Sequence, residues 1–289
     1  MSAPIARLCI IGVGLIGGSL ALAARRRGLV EHIVGCGREP EHLDTARRLG
    51  VIDESSLDPA AAVAGADMVV LAVPLGAMYP VLAAIRDHLE PDAVLTDVGS
   101  AKASVVADAQ RVFGELPAGF VPGHPIAGTE KSGVEAAFAE LFENRCVILT
   151  PLPGSAAWAV ERLSALWRGV GAEVVNMSPR HHDEVLAATS HLPHVLAFAL
   201  VDTLGRMQER AEIFKYAAGG FRDFTRIASS DPDVWRDICL ANGEAMLAAL
   251  DNYKAELEAL TEAIRRKDRQ AIELILRRAK AIRDQYVIN

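Results

Sequence analysis

Seven short apolar runs rich in β-formers, at residues 8–11, 33–34, 68–73, 93–95, 120–121, 147–149 and 173–175, punctuate the first part of this chain. Segments with helical spacing lie between most of them, at 15–27, 75–89 and 156–167 among others. A strand with one wet face alternates apolar and polar residues, whereas a run apolar at every position is covered on both sides. Strands of that kind separated by helices imply an α/β, doubly wound (Rossmann-type) parallel sheet. After Met177-Ser178-Pro179 the strand pattern stops and the chain reads as helix to its end. The expected organisation is a dinucleotide-binding domain over 1–178 and an all-helical C-terminal domain over 179–289, the latter serving substrate binding and dimerisation.

The turn after the first run reads Gly12-Val13-Gly14-Leu15-Ile16-Gly17. In a strand–turn–helix setting, the first glycine permits the tight turn and the second lets a pyrophosphate approach the backbone. The third lets the helix pack on the strand. The helix N-terminus then offers unpaired N–H groups to phosphate. Val73-Pro74, at the end of a later run, is expected to line the same edge. At the end of the second run, Gly37 stands where an NAD enzyme places an acidic residue for the ribose 2′-hydroxyl, and Arg38 follows. A guanidinium without a competing carboxylate suits a 2′-phosphate and favours NADP. NAD is the alternative, with Arg38 solvated and Glu39 turned inward.

Bulk properties narrow the partners. The formal net charge is −7 and no long basic run occurs, which argues against a nucleic-acid surface. The short Arg25-Arg26-Arg27 cluster falls late in a helix, where cations suit the dipole. The N-terminus lacks a charged-then-apolar leader. The most apolar stretch, 66–85, is interrupted by Asp67, Pro74, Gly76 and Pro80, so it reads as a strand and a helix rather than a membrane span. The four cysteines, Cys9, Cys36, Cys146 and Cys239, form no CxxC pair, as for free thiols in a reducing cytoplasm.

In the helical half, Asp231-Pro232 is a start signal, an N-cap followed by proline in the first turn. Behind it Met246, Leu250, Tyr253, Leu257, Leu260 and Ile264 recur at steps of four and three, a seam suited to another helix. Packing within the chain would use such a seam. A helix of roughly thirty residues is long for so small a domain, which favours a homodimer interface.

Ligands of this fold sit beyond the carboxyl ends of the strands. Three segments reach that edge: Val73-Pro74, Asp97-Val98-Gly99-Ser100-Ala101-Lys102 and Gly123-His124-Pro125, where His124 is expected on a loop. The run Gly123-His124-Pro125-Ile126-Ala127-Gly128-Thr129-Glu130 resembles the signature of the prephenate/arogenate dehydrogenase family. Three further segments match in order: 97–102, then Ser190-His191-Leu192-Pro193-His194, then Gly220-Phe221-Arg222-Asp223-Phe224-Thr225-Arg226. With the glycine fingerprint the match spans 12 to 226, and no fused mutase or regulatory domain is expected.

The resemblance implies an oxidative decarboxylation in tyrosine synthesis. Prephenate is the favoured substrate, with arogenate as a second candidate. It implies His124 as the base for the substrate C4 hydroxyl and Ser100 as the serine that orients it. Arg226 matches a carboxylate-binding arginine and His194 a substrate-contacting histidine with Ser190 beside it, while Thr129 and Glu130 sit where a loop closes over the ring. Each has a plainer reading: His191 and His194 could face the helix–sheet boundary, and Arg226 could pair with Asp223. His181, His182, His191 and His194, with Asp183 and Glu184 among them, invite a metal reading. No ligand spacing supports it and Pro193 disturbs the helical face, so no metal is expected. Rival readings are a β-hydroxyacid or imine dehydrogenase of similar build, and a non-catalytic NAD(P)-binding dimeric scaffold.

Overall fold

A computed structural model describes residues 4–129, 131–208 and 210–286. Strands β1 (Ile5–Ile11), β2 (Val30–Cys36), β3 (Glu54–Ser56), β4 (Met68–Leu71) and β5 (Val94–Asp97) form one parallel sheet in the order β3-β2-β1-β4-β5. Helices α1 (Leu15–Arg26), α2 (Pro40–Arg48), α3 (Pro59–Val63), α4 (Met78–Ile85) and α5 (Ala103–Phe113) make the crossovers. The reversal of strand order on either side of β1 puts the carboxyl ends of β1, β2 and β4 side by side, the switch point at which such sheets bind ligands. Two apolar clusters cover the two faces, one holding Leu8, Ile10, Ile33 and Trp167, the other Cys9, Ile11, Val69 and Phe120. This is why the strands read as apolar without alternation.

Two sequence expectations change here. Phe120 pairs with Leu95 as a single parallel bridge rather than a full strand. Gly123–Pro125 is then a short strand, β6, not a loop. It pairs antiparallel with β7 (Cys146–Leu149), which runs parallel to β8 (Glu173–Asn176), α6 (Ala157–Gly169) lying between these two in sequence. The antiparallel partner fixes His124 opposite Ile148, giving that side chain a rigid base a loop would lack.

By packing, the chain divides into two compact units, Met1–Gly243 and Glu244–Asn289. The first therefore includes the helices after the sheet: α7 (Pro179–Leu186), α8 (Leu192–Gly205), α9 (Arg210–Lys215), α10 (Gly219–Thr225) and α11 (Pro232–Ala241). Ser178 caps α7 through its hydroxyl, which accepts from His181 N, and Pro179 follows in the first turn. A π-helical turn, Ala187–His191, joins α7 to α8. Pro193 explains it, since a proline ring cannot approach the carbonyl four residues back and the turn widens. By length and composition alone Pro179–Gly205 could cross a membrane. It instead buries His182, Asp183 and His191 and hydrogen-bonds the backbone at the start of α5.

Asp231 caps α11 as expected, accepting from Asp233 N at 2.8 Å, but the helix ends at Ala241. The single long helix predicted from the heptad seam is thus two, α11 and α12 (Gly243–Arg265), broken at Asn242. In the second unit α12 and α13 (Arg269–Tyr286) meet at Lys267, whose φ of +53° turns the chain back. Leu257, Ile264, Leu274, Leu276 and Ile282 all remain exposed on this pair. All four cysteines are free.

Candidate active site

The cradle after β1 is made of backbone. Gly12 turns with φ +100° and donates its N–H to Cys36 O at 2.8 Å. A Cβ there would stand 2.3 Å from Ala72 O, and a Cβ on Gly17 would stand 2.3 Å from Gly12 O, so neither position admits a side chain. Gly14 differs. It is the N-cap residue of α1, no side chain caps that helix, and nothing lies within 4 Å of where its Cβ would be. Free N–H groups, the positive end of the helix dipole and an unobstructed approach fit a dinucleotide pyrophosphate. Leu15 is buried beneath, Val13 and Ile16 are half-buried, and Arg38 lies exposed just past β2. Val73 and Pro74 follow β4, the strand beside β1. The predicted cofactor residues therefore converge on one edge.

Next to this edge lies a network of buried polar groups. Asp97 ends β5 and Lys102 precedes α5, and both side chains are fully buried as an ion pair. Lys102 Nζ also donates to Gly123 O at 2.6 Å, while Asp97 Oδ1 accepts from Gly123 N at 3.3 Å and Oδ2 from Gly99 N at 2.8 Å. The 97–102 segment thus clamps the residue before His124. Burial pulls the Lys102 ammonium's pKa down, opposed by the Asp97 and Asp183 carboxylates.

His124 is buried, and its Nδ1 lies 2.8 Å from His182 Nε2. His182 Nδ1 in turn lies 2.7 Å from Asp183 Oδ1. Asp183 accepts two backbone N–H bonds at the start of α5, from Lys102 at 2.8 Å and Ala103 at 2.9 Å. Burial raises the Asp183 carboxyl, yet the His182 bond and the two backbone bonds outweigh it and hold it below its usual range. His124 is driven well below 6.5, first by burial and then by His182, Lys102 and His191. It is therefore a neutral imidazole near pH 7.

His191, also buried, accepts from Asn242 Nδ2 at 3.1 Å, and burial brings its pKa to about 4. Asn242 Nδ2 also donates to Asp183 O at 2.9 Å, which is the local reason the long helix breaks there. His194 donates from Nδ1 to Ser190 O at 2.9 Å and stacks on Trp235 with ring centroids 3.8 Å apart. Burial lowers its pKa, and the charge of Arg226 adds to the effect, which places that guanidinium nearby. Ser190 is half-buried and Thr129 exposed; Glu130 lies outside the described residues. Ser100 sits half-buried between Asp97 and Lys102, but Nδ1 of His124 is engaged by His182 rather than by Ser100. Among the described residues no group of three or more His, Cys, Asp or Glu is arranged to hold a metal.

Sequence reasoning passed over His182, Asp183, Lys102 and Trp235 as working residues. The signals were present: a His-Asp pair in the first turns of a helix, and a tryptophan three residues beyond Pro232.

The model of the prephenate dehydrogenase nucleotide-binding domain matches residues 20–176, and that of the prephenate dehydrogenase dimerization domain matches 178–278. A cyclohexadienyl dehydrogenase of Zymomonas mobilis is 42% identical over 265 residues, covering 90% of this chain and 89% of the relative. A prephenate dehydrogenase of Bacillus subtilis is 39% identical over 281 residues, covering 96% and 75%. The crystal structure of a prephenate dehydrogenase from Aquifex aeolicus, in complex with hydroxyphenyl propionate and NAD+, superposes with a TM-score of 0.92 at 39% identity and covers 99% of both chains. This chain, an oxidoreductase with a nicotinamide-dinucleotide cradle, belongs to the prephenate dehydrogenase family.

Proposed function

We propose that this chain carries out the oxidative decarboxylation of prephenate to 4-hydroxyphenylpyruvate in tyrosine synthesis, accepting arogenate as a second substrate. The observation that carries the reading is a buried, neutral His124 on β6, with the glycine cradle and the His194–Arg226 pair in the same compact unit. A nicotinamide dinucleotide, held by Gly12 to Gly17, Val73, Pro74 and Arg38, supplies the hydride acceptor when bound. His124 takes the C4 hydroxyl proton as the C4–H electron pair leaves. Once carbon dioxide has departed and the ring is aromatic, His124 returns the proton to the phenol oxygen. Positioned acid–base help of this sort is worth on the order of 10²–10⁴-fold.

The planar fork of Arg226 suits a substrate carboxylate. His194, Ser190 and Thr129 line the substrate, with Glu130 next to Thr129 in sequence, and Ser100 orients the substrate at His124, whose Nδ1 is already held by His182. We assign 1–178 to the dinucleotide and 179–289 to substrate and dimerisation, the exposed apolar surface of α12 and α13 being covered in a cytoplasmic homodimer. NADP is favoured over NAD because Gly37 offers no carboxylate and Arg38 is exposed beyond β2.

Incubation with prephenate or arogenate, and with NADP or NAD, is followed by absorbance of the reduced cofactor. Prephenate with NADP should respond most strongly; silence in all four combinations defeats the proposal. Arg38→Asp should shift the preference toward NAD by about tenfold, the scale of one charge-assisted contact. An unchanged ratio would mean that the 2′-phosphate is read elsewhere.

A further inference from the structure

We propose that Asp183 and His182 are positioning residues for His124, holding its proton on Nδ1 so that Nε2 is the base. The inference rests on the reading of His124 as the proton acceptor. The argument runs outward from α5. Both oxygens of Asp183 accept backbone N–H bonds, from Lys102 and Ala103, so the group is an anchored carboxylate with only acceptors to offer. The His182 nitrogen facing it, 2.7 Å away, must then carry a proton. With a single proton on His182, held toward Asp183, its Nε2 is a bare lone pair. Among the described residues, the polar group facing that lone pair is His124 Nδ1, at 2.8 Å. His124 therefore donates from Nδ1, and its other nitrogen is left unprotonated.

The two imidazoles meet edge to face, with an interplanar angle of 62°, which restricts rotation of the catalytic ring. When His124 becomes an imidazolium, its Nδ1–H bond strengthens toward a lone pair backed by the Asp183 carboxylate. The other charged or titratable groups around it are Lys102, paired with Asp97, and His191, held by Asn242. Lys102 and a protonated His191 would both oppose that positive charge. Asp183 is the group placed to offset it.

A purely structural role would need Asp183 alone, because its two backbone bonds already cap α5. The third link, through His182 to His124, serves no backbone group. Replacing the carboxylate by an amide keeps the shape but offers an N–H2 toward one neighbour. At the Oδ1 position it opposes the His182 proton and the Lys102 N–H, at the Oδ2 position the Ala103 N–H, and in either case the charge that backs the His182–His124 bond is lost. The same orienting logic is known from serine protease triads, where a buried carboxylate fixes a histidine tautomer.

Nitrogen-15 NMR of the histidine-labelled enzyme, with the His124 signals identified by their loss in His124→Asn, should show the Nδ1–H tautomer. This readout needs no variant of the dyad to fold. Asp183→Asn should lower kcat by about 10²-fold or more, with KM and dinucleotide affinity changed less than about threefold. His182→Gln, whose carbonyl can still accept from Nδ1–H, should keep more turnover than His182→Leu. An Nε2–H tautomer at His124 in the wild type, or wild-type kcat in Asp183→Asn and His182→Leu, overturns the proposal. If His124→Asn itself kept full turnover, the base assignment would fail instead, so the two failures are told apart.

Discussion

The dinucleotide cradle, after β1, and the histidine network, on β6 and the helices that follow, are built by opposite means. In the cradle, Gly12 and Gly17 work by having no side chain, and the donors are backbone amides whose placement follows from one strand–turn–helix. In the network the contacts need side chains brought from 58 and 81 positions away, the His124 ring meeting that of His182 and the Asp183 carboxylate accepting from the Lys102 backbone N–H. A local backbone site is specified by six consecutive residues. A side-chain site is specified only by the whole fold, so it depends on every element that brings its members together.

Breaking the network at its centre should have the largest effect. His124→Asn removes the proton acceptor while leaving the cradle untouched. Turnover should fall on the order of 10²–10⁴-fold with dinucleotide affinity nearly unchanged. A parallel loss of cofactor binding, seen by fluorescence titration, would show that the two sites are not separable. Gly12→Ala makes the reciprocal test. Positive φ and a backbone oxygen 2.3 Å from the new Cβ both oppose alanine, so dinucleotide affinity should drop by roughly 10²-fold, with a lower Tm. Normal affinity would show that the turn relaxes without cost.

That contrast also explains what the sequence made legible. The parallel sheet, the cradle residues and the Asp231 cap could all be read because each is a local pattern. His124 was found because a motif surrounds it, but its strand was taken for a loop, since three residues carry no periodicity. The pairing that makes β6 comes from β7, more than twenty residues on. The His182-Asp183 pair was visible only as candidate metal ligands, because neighbouring helix positions point apart and nothing local shows them bonded to each other. Asn242 was absorbed into a long amphipathic helix for the same reason. Its side chain is spent on His191 and the Asp183 carbonyl, both far away in sequence.

A smaller effect should follow at the substrate end. Arg226→Ala should raise KM for prephenate about 10- to 100-fold, the cost of losing charge-assisted bonds, with kcat changed much less. An unchanged KM would retire the carboxylate assignment. Because His194 stacks on Trp235 beside this arginine, loss of the guanidinium should also let the His194 pKa rise.

Acidity sharpens the comparison most gently, because it acts on one region and spares the other. Burial holds His191 at about 4 and His124 well below 6.5, whereas in the unfolded chain both titrate near 6.5. Below that value the unfolded state binds protons that the native state refuses, so stability present above pH 6.5 is lost as pH falls. The slope is about 1.4 kcal/mol per pH unit for each histidine, continuing down to the folded-state pKa. The anchored Asp183 acts only lower, around and below pH 4, so the window between 4 and 6.5 reports the histidines. A Tm measured from pH 7.5 to 5 should decline by several degrees, and His191→Gln should flatten the decline. The cradle, made of glycine backbone, should bind the dinucleotide almost equally well across the folded part of that range. A Tm independent of pH would mean that the imidazoles are hydrated rather than buried.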